Sequence, residues 1–276
     1  MGTQTLDRPV QSDLSASSSA ADLNSISRLT ERARAGTLGW TGPLLLLVGR
    51  SVLIIAAQAV TVAAIWLHSG TWSWNAAAKW WTVYGTLVDV GCLALMAAYT
   101  RKEGIRLRDL IGRVRLRWGR DLWLAAVIFC LTFPFFIPGA RVATWLSYGG
   151  GQPPLFPGLL VARVLPRWAV VYTFAVWLLI WSPTEEMTYQ GYVLPRLATL
   201  SRRRWIAVTI VSFWWALQHV FLPFVLDWKY VVWRFVAFLP SMVVMTLLYL
   251  KVRRLPPFFL AHWSMDIIAI FMTLKV

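Results

Sequence analysis

Long apolar blocks constrain the fold of this chain more than any other feature. Most approach the roughly 20 residues that an α-helix needs to cross the hydrocarbon core of a bilayer. With 58% hydrophobic and only 14% charged residues, a water-soluble domain could not cover this much apolar surface. The sequence therefore predicts an all-α, polytopic membrane bundle of about seven transmembrane helices. The blocks cover about 41–67, 80–99, 122–139, 168–182, 205–226, 229–250 and 256–274.

The basic residues predict how the bundle is oriented. The formal net charge is +15, but Lys and Arg lie mainly in short stretches between apolar blocks. That pattern is typical of cytoplasmic loops, and it disfavours a nucleic-acid partner. With one crossing per block, the strongest basic clusters fall on the same side as the N-terminus. We therefore expect a plasma-membrane protein with a cytoplasmic N-terminus, and eight spans only if the connector 150–166 also enters the membrane.

Three regions are predicted along the chain. Residues 1–36 are rich in Ser, Ala and Asp and are predicted to form a disordered cytoplasmic tail. Residues 37–140 hold the N-terminal transmembrane helices, and residues 141–276 hold the remaining helical core. The basic segment 101–121 has apolar residues at roughly helical spacing. We interpret it as an amphipathic helix whose partners are the lipids of an anionic leaflet.

Five ionisable residues lie within apolar helices of the C-terminal half: Glu185, Glu186, His219, His262 and Asp266. A charge inside a bilayer costs several kcal/mol, so such residues generally have a function or a partner. Glu185 and His219 both lie roughly 22–26 Å along their helices from the same basic turn, at about 1.5 Å per residue. Two antiparallel helices joined there would place them side by side.

The faces of the helices favour one cluster. His262 and Asp266 are four residues apart and project together. Glu186 shares its face with Gln190, which we expect to be its hydrogen-bond partner. Purely structural hydrogen bonds between helices are the alternative for each residue alone. In the first two blocks, Arg50 is expected to reach the headgroups and Asp89 to have a structural role.

Three segments resemble, in order and spacing, the motifs of the CPBP intramembrane proteases, the CAAX-protease and bacteriocin-processing (ABI) family. EEMTYQGY at 185–192 resembles EExxxRG, WALQH at 215–219 resembles FxxxH, and HWSMD at 262–266 resembles HxxxN/D. The resemblance covers about 168–274. It implies a glutamic intramembrane endopeptidase, with residues 141–276 as the catalytic core and no cofactor.

The resemblance also implies roles for individual residues. Glu185 would be the general base that activates a water together with His219, while His262 and Asp266 would stabilise the oxyanion. A prenylated CAAX-type protein or a leader peptide would be the substrate. The supporting residues would be Glu186, Gln190 and Trp215.

Two alternatives remain open at this stage. Gln190 stands where the motif has Arg, and without that cation the chain could be a non-catalytic immunity or scaffold protein. Glu185, His219 and His262 could instead bind zinc, because two His and one Glu are a known catalytic zinc set. The usual HExxH spacing of such sites is absent. A proton-coupled transporter is disfavoured because no internal repeat is evident.

Overall fold

The fold is a bundle of α-helices, described by a computed structural model over residues 23–111, 117–154 and 156–275. Within these residues the only β-structure is three isolated bridges. Five of the described helices are long and apolar enough to cross a membrane, which confirms the predicted all-α membrane bundle; the number of spans stays a prediction. These five are Thr41–Ser69, Trp81–Lys102, Trp118–Tyr148, Trp228–Val252 and Leu255–Thr273.

Twelve α-helices follow one another in the described part of the chain. They are α1 (Ile26–Arg34), α2 (Thr41–Ser69), α3 (Trp74–Ala78), α4 (Trp81–Lys102), α5 (Trp118–Thr132), α6 (Phe136–Tyr148), α7 (Arg167–Tyr172), α8 (Leu178–Glu186), α9 (Leu194–Ser201), α10 (Arg204–Phe221), α11 (Trp228–Val252) and α12 (Leu255–Thr273). Short 3-10 turns lie at Leu107–Leu110 and Phe133–Phe135, and π-helical turns at Thr173–Trp177 and Met187–Val193.

The packing of these helices surrounds the middle of the bundle. Helix α10 packs against α11, α9 and α2, while α12 packs against α5 and α8. Helix α6 lies along α11 so closely that a Cβ on Gly139 would be 2.5 Å from the carbonyl oxygen of Ala237. Small residues permit such close contact between membrane helices, where packing replaces the hydrophobic effect as the main attraction. The motif-bearing helices α8, α10 and α12 therefore meet in the interior.

The helix that contains the predicted block 168–182 does not end at Pro183, although a proline commonly interrupts a helix. Pro183 lies inside α8, and residues 167–201 run as one succession of helical segments that includes both π-helical turns. Proline removes one backbone donor, which the surroundings of a packed membrane helix can compensate. Glu185 and Glu186 end α8 just before the second π-helical turn and are fully buried. Such turns are frequent at functional sites.

The predicted disordered tail is wrong for residues 23–36; residues 1–22 lie outside the described residues. Helix α1 buries Leu29 completely. Just before it, the Asn24 side-chain amide donates to the carbonyl of Gly191 at 2.7 Å. The hydrogen bond joins residues 167 positions apart, so the composition of residues 1–36 could not predict it.

A single amphipathic helix over 101–121 is also wrong for the described residues, and residues 112–116 of that segment lie outside them. Helix α4 ends at Lys102, and Gly104 follows with a φ of +72°, a left-handed conformation that glycine adopts without strain. Among the described residues between α4 and α5, the 3-10 turn at Leu107–Leu110 is the only helical element. Leu110 is buried in the protein core, because this segment folds back onto the bundle.

Candidate active site

Glu185 is the centre of the site. Its side chain is fully buried at the end of α8. The indole Nε1 of Trp215, from α10, donates a hydrogen bond to Oε1. Arg50 of α2 places Nη2 at 3.4 Å from Oε2. One turn beyond Trp215, His219 has Nε2 at 3.9 Å from Oε1. Three helices thus fix one carboxylate.

The backbone sets the tautomer of His219. Its Nδ1 lies 2.8 Å from the carbonyl oxygen of Trp215. A carbonyl can only accept, so Nδ1 carries the proton and Nε2 of the neutral ring is an acceptor. Trp215 is fully buried and stacks on Tyr189, with ring centroids 5.2 Å apart. A Phe at this position could keep the stacking but not the hydrogen bond to Glu185.

A second carboxylate–histidine pair lies beside the first. Glu186 Oε1 is 2.9 Å from Nδ1 of His262 on α12. The other ring nitrogen of His262, Nε2, lies 3.8 Å from Asp266 Oδ1. Trp215 joins the two pairs, since its ring centroid is 6.3 Å from that of His262. The structure thus brings together all five ionisable residues singled out in the sequence.

The expected hydrogen bond between Glu186 and Gln190 is wrong. Glu186 turns to His262 instead, because a histidine on the facing helix lies within direct reach. Gln190 is fully buried, and neither polar atom of its side chain has a hydrogen-bond partner among the described residues. Its role in the site is not that of a partner to Glu186.

The expectation that Arg50 reaches the headgroups is also wrong. Its side chain is fully buried, with Nη1 at 3.2 Å from Asp89 Oδ1 and Nε donating to Gln218 Oε1 at 2.7 Å. Its guanidinium lies 4.3 Å from the centre of the Trp181 ring. Partners on three helices hold this cation inside the bundle, so its side chain does not extend to the headgroups. The sequence feature that could have predicted this ion pair is the presence of opposite charges, Arg50 and Asp89, in the first two apolar blocks.

A cavity of about 330 Å³ opens beside these residues. Most of its wall is aromatic or aliphatic, including Trp177, Trp181 and Met245. Glu185 is not part of the cavity wall. Trp215 and His219, which both contact Glu185, do line the cavity. The ionisable side chains that line it are His219, Arg234, His262 and Asp266.

Comparison with known families agrees with this arrangement. Residues 166–268 match the family described as type II CAAX prenyl endopeptidase Rce1-like. This part of the chain is therefore similar to the CAAX proteases. The matched region contains all five clustered residues. No curated protein and no solved structure matches the chain. The match supports protease activity in general, and the five long apolar helices support an integral membrane protein.

The zinc alternative can be compared with the positions of the side chains. Within residues 23–111, 117–154 and 156–275, no three His, Cys, Asp or Glu side chains are arranged to hold a metal ion. Both oxygens of Glu185 already face nitrogen donors. Glu185, His219 and His262 in this arrangement do not fit a zinc site.

Proposed function

We propose that this chain is an intramembrane endopeptidase in which Glu185 and His219 activate a water molecule. One observation carries the proposal. Glu185 Oε1 and His219 Nε2 face each other at 3.9 Å, and both are acceptors when the ring is neutral. The distance is too long for a direct hydrogen bond, and two acceptors cannot bond each other. A water that donates one hydrogen to each suits this pair.

The reaction follows from that placement. A water donating both hydrogens directs a lone pair of its oxygen at the substrate carbonyl carbon. As the new C–O bond forms, Glu185 takes the proton, and it returns that proton to the amide nitrogen as the C–N bond breaks. Oε1 can accept from Trp215 and from the water together, because a carboxylate oxygen has two lone pairs.

The second pair is placed to stabilise the developing oxyanion. His262 lines the cavity, with Glu186 at one ring nitrogen and Asp266 at the other. When His262 is protonated on both ring nitrogens, Nδ1–H donates to Glu186 and Nε2–H lies on the side of Asp266, which lines the cavity. A preorganised donor in a water-poor site is the usual means of stabilising an oxyanion. Glu186 and Asp266 are therefore positioning residues for His262.

Arg50 bears on the non-catalytic alternative. The loss of the motif's Arg at Gln190 suggested a carboxylate pair without a cation. Arg50 supplies one from α2, within 3.4 Å of Glu185. Arg50 thus keeps a cation at the site despite the substitution, and we do not favour a scaffold or immunity function.

For the substrate we propose a prenylated CAAX-type peptide rather than a leader peptide. The description of the matched family supports this choice. So does the cavity, whose predominantly aromatic and aliphatic wall suits apolar side chains close to the scissile bond.

The test is cleavage of farnesylated CAAX peptides and leader peptides by the purified protein in lipid nanodiscs. We expect cleavage of the farnesylated peptides, with a loss of about 10³-fold or more in Glu185→Ala. Glu31→Ala is the matched control, since Glu31 is an exposed glutamate on α1. Cleavage that persists in Glu185→Ala contradicts the mechanism. Cleavage abolished by a chelator and restored by zinc would favour the metal-dependent alternative.

A further inference from the structure

Arg234 on α11 is an ionisable cavity residue that the mechanism above does not use. Its Nε donates to the carbonyl of His219 at 3.1 Å, and its Nη2 donates to the carbonyl of Leu222 at 2.9 Å. Its guanidinium carbon lies 4.6 Å from the centre of the Phe238 ring. The imidazole of His219 stacks on that same ring, with centroids 4.0 Å apart. The cation is therefore a near neighbour of the water-activating histidine.

Among the residues that the structure describes, none provides an anionic partner for the charge of Arg234. No carboxylate of the described residues lies within ion-pair distance of it, and Nη1 makes no hydrogen bond with any of them. Asp266, the acidic residue of the cavity wall, is paired with His262 at 3.8 Å. The two carbonyls at the end of α10 account for two donors only. A cation beside an apolar cavity is costly without a counter-charge.

We propose that Arg234 binds a carboxylate of the substrate, namely the C-terminal carboxylate of the peptide that is cleaved. This inference rests on the proposed peptidase function. A guanidinium suits a carboxylate because its N–H groups match the spacing of the two oxygens. Arg234 would thereby select peptides whose scissile bond lies close to a free C-terminus.

The dimensions of the cavity agree with a short C-terminal fragment. Each extended residue spans roughly 3.5 Å, and the guanidinium and the imidazole of His219 both pack against the ring of Phe238. A chain of a few residues is therefore long enough to reach from one group to the other. The aromatic and methionine side chains of the wall would contact the apolar side chains of the fragment, and Arg234 would hold its end.

The experiment measures binding and cleavage of three matched peptides in nanodiscs. The first is a fluorescently labelled, farnesylated peptide ending in CVLM with a free carboxylate. The second is the same peptide with a C-terminal amide. The third is the amidated peptide with Glu in place of the last residue, which distinguishes a side-chain carboxylate from the terminal one. Dissociation constants are measured by fluorescence anisotropy, so the outcome does not depend on turnover.

We expect wild type to bind the free acid about 10- to 100-fold more tightly than the amide, as a charged hydrogen bond allows. In Arg234→Gln this ratio should fall to about one, and Arg234→Lys should keep part of it. Lys229→Gln is the control, since it removes a cation from the same helix at an exposed site outside the cavity. A purely structural role for Arg234 would weaken both peptides equally.

The outcomes separate this inference from the proposed function. Equal affinity of wild type for acid and amide overturns it, even if cleavage depends on Glu185. So does a preference that survives in Arg234→Gln. Tight binding of the amidated Glu peptide, equal to that of the free acid, would assign the site to acidic side chains and overturn selection of the terminus. A preference lost in Arg234→Gln without any cleavage would uphold the carboxylate site and contradict the peptidase.

Discussion

At the scale of single residues, Arg50 does most to determine the electrostatics of the site. Its guanidinium contacts Asp89, Glu185 and Gln218, which lie on three different helices. All three are buried, so bulk solvent screens these interactions only weakly. Removal of the cation would leave two carboxylates without their counter-charge in a low-dielectric interior.

Arg50→Leu should therefore lower the free energy of unfolding by about 3–5 kcal/mol, the usual consequence of breaking a buried ion pair. The double variant Arg50→Leu/Asp89→Leu should recover part of this loss, because one orphaned carboxylate is removed with the cation. Cleavage should stay low in both, since Glu185 loses the group that holds Oε2. Denaturant titration in detergent and a cleavage assay measure the two effects.

Arg203→Leu provides the control for this series, because Arg203 is exposed at the turn before α10. Stability of Arg50→Leu equal to that of the control would contradict the role assigned to the buried cation.

How far the residues of the site could be predicted depended on where their partners lie. Helix periodicity and depth from a shared basic turn predicted that Glu185 would meet His219. The partner of Glu186 could not be predicted in that way, because His262 belongs to a facing helix rather than to the same one. Arg50 was missed for the same reason, since its partners lie 39 to 168 positions away.

At the scale of elements, the side of the cavity formed by α11 depends on how closely α6 approaches α11. Gly139 provides the contact, because a Cβ there would lie 2.5 Å from a backbone oxygen of α11. Helix α11 in turn carries Arg234 and Phe238 into the cavity. Any displacement of α11 should therefore be transmitted to the cavity.

Gly139→Ala should destabilise the protein by about 1–3 kcal/mol, because the backbone of Ala237 cannot yield as a flexible side chain can. Gly119→Ala on α5 should have little effect, since a Cβ at that position meets no atom within 4 Å. Thermal unfolding of the two variants in one detergent measures the difference. Equal melting temperatures would show that the contact between α6 and α11 is not close.

The bounds of the elements followed from the sequence where an apolar block ended at polar or basic residues. The block predicted at 229–250 is α11 at Trp228–Val252, and the block at 41–67 is α2 at Thr41–Ser69. The path from 101 to 121 could not be predicted in this way. Its apolar residues have helical spacing, but tertiary contacts of Leu110 override that local preference.

At the scale of the whole molecule, a second buried polar network joins the N-terminal helix to the start of α9. Arg196 donates to both oxygens of Glu103, at 2.8 and 2.7 Å, and also to Asn24 at 3.0 Å. Arg32 of α1 contacts the same carboxylate at 3.3 Å. Composition predicted no structure for residues 23–36, because α1 is stabilised by Glu103 at the end of α4 and by Arg196 of α9.

Glu103→Ala should lower the free energy of unfolding by about 3–5 kcal/mol, because it leaves the buried Arg196 guanidinium without its bidentate partner. It should also expose α1 to limited proteolysis. Glu31→Ala, which removes an exposed carboxylate from α1 itself, should do neither. Proteolysis of α1 at the wild-type rate in Glu103→Ala would contradict the anchoring role of this network.

The central claim is that Glu185 and His219 act on one water molecule as a unit. The most direct measurement is the single-turnover cleavage rate of a farnesylated CAAX peptide by wild type, Glu185→Gln, His219→Asn and the double variant. The account predicts that each single variant loses about 10³-fold or more and that the double variant loses scarcely more than the worse single, as for residues that function together. Losses that multiply in the double variant, or a single variant that cleaves near the wild-type rate, would contradict it.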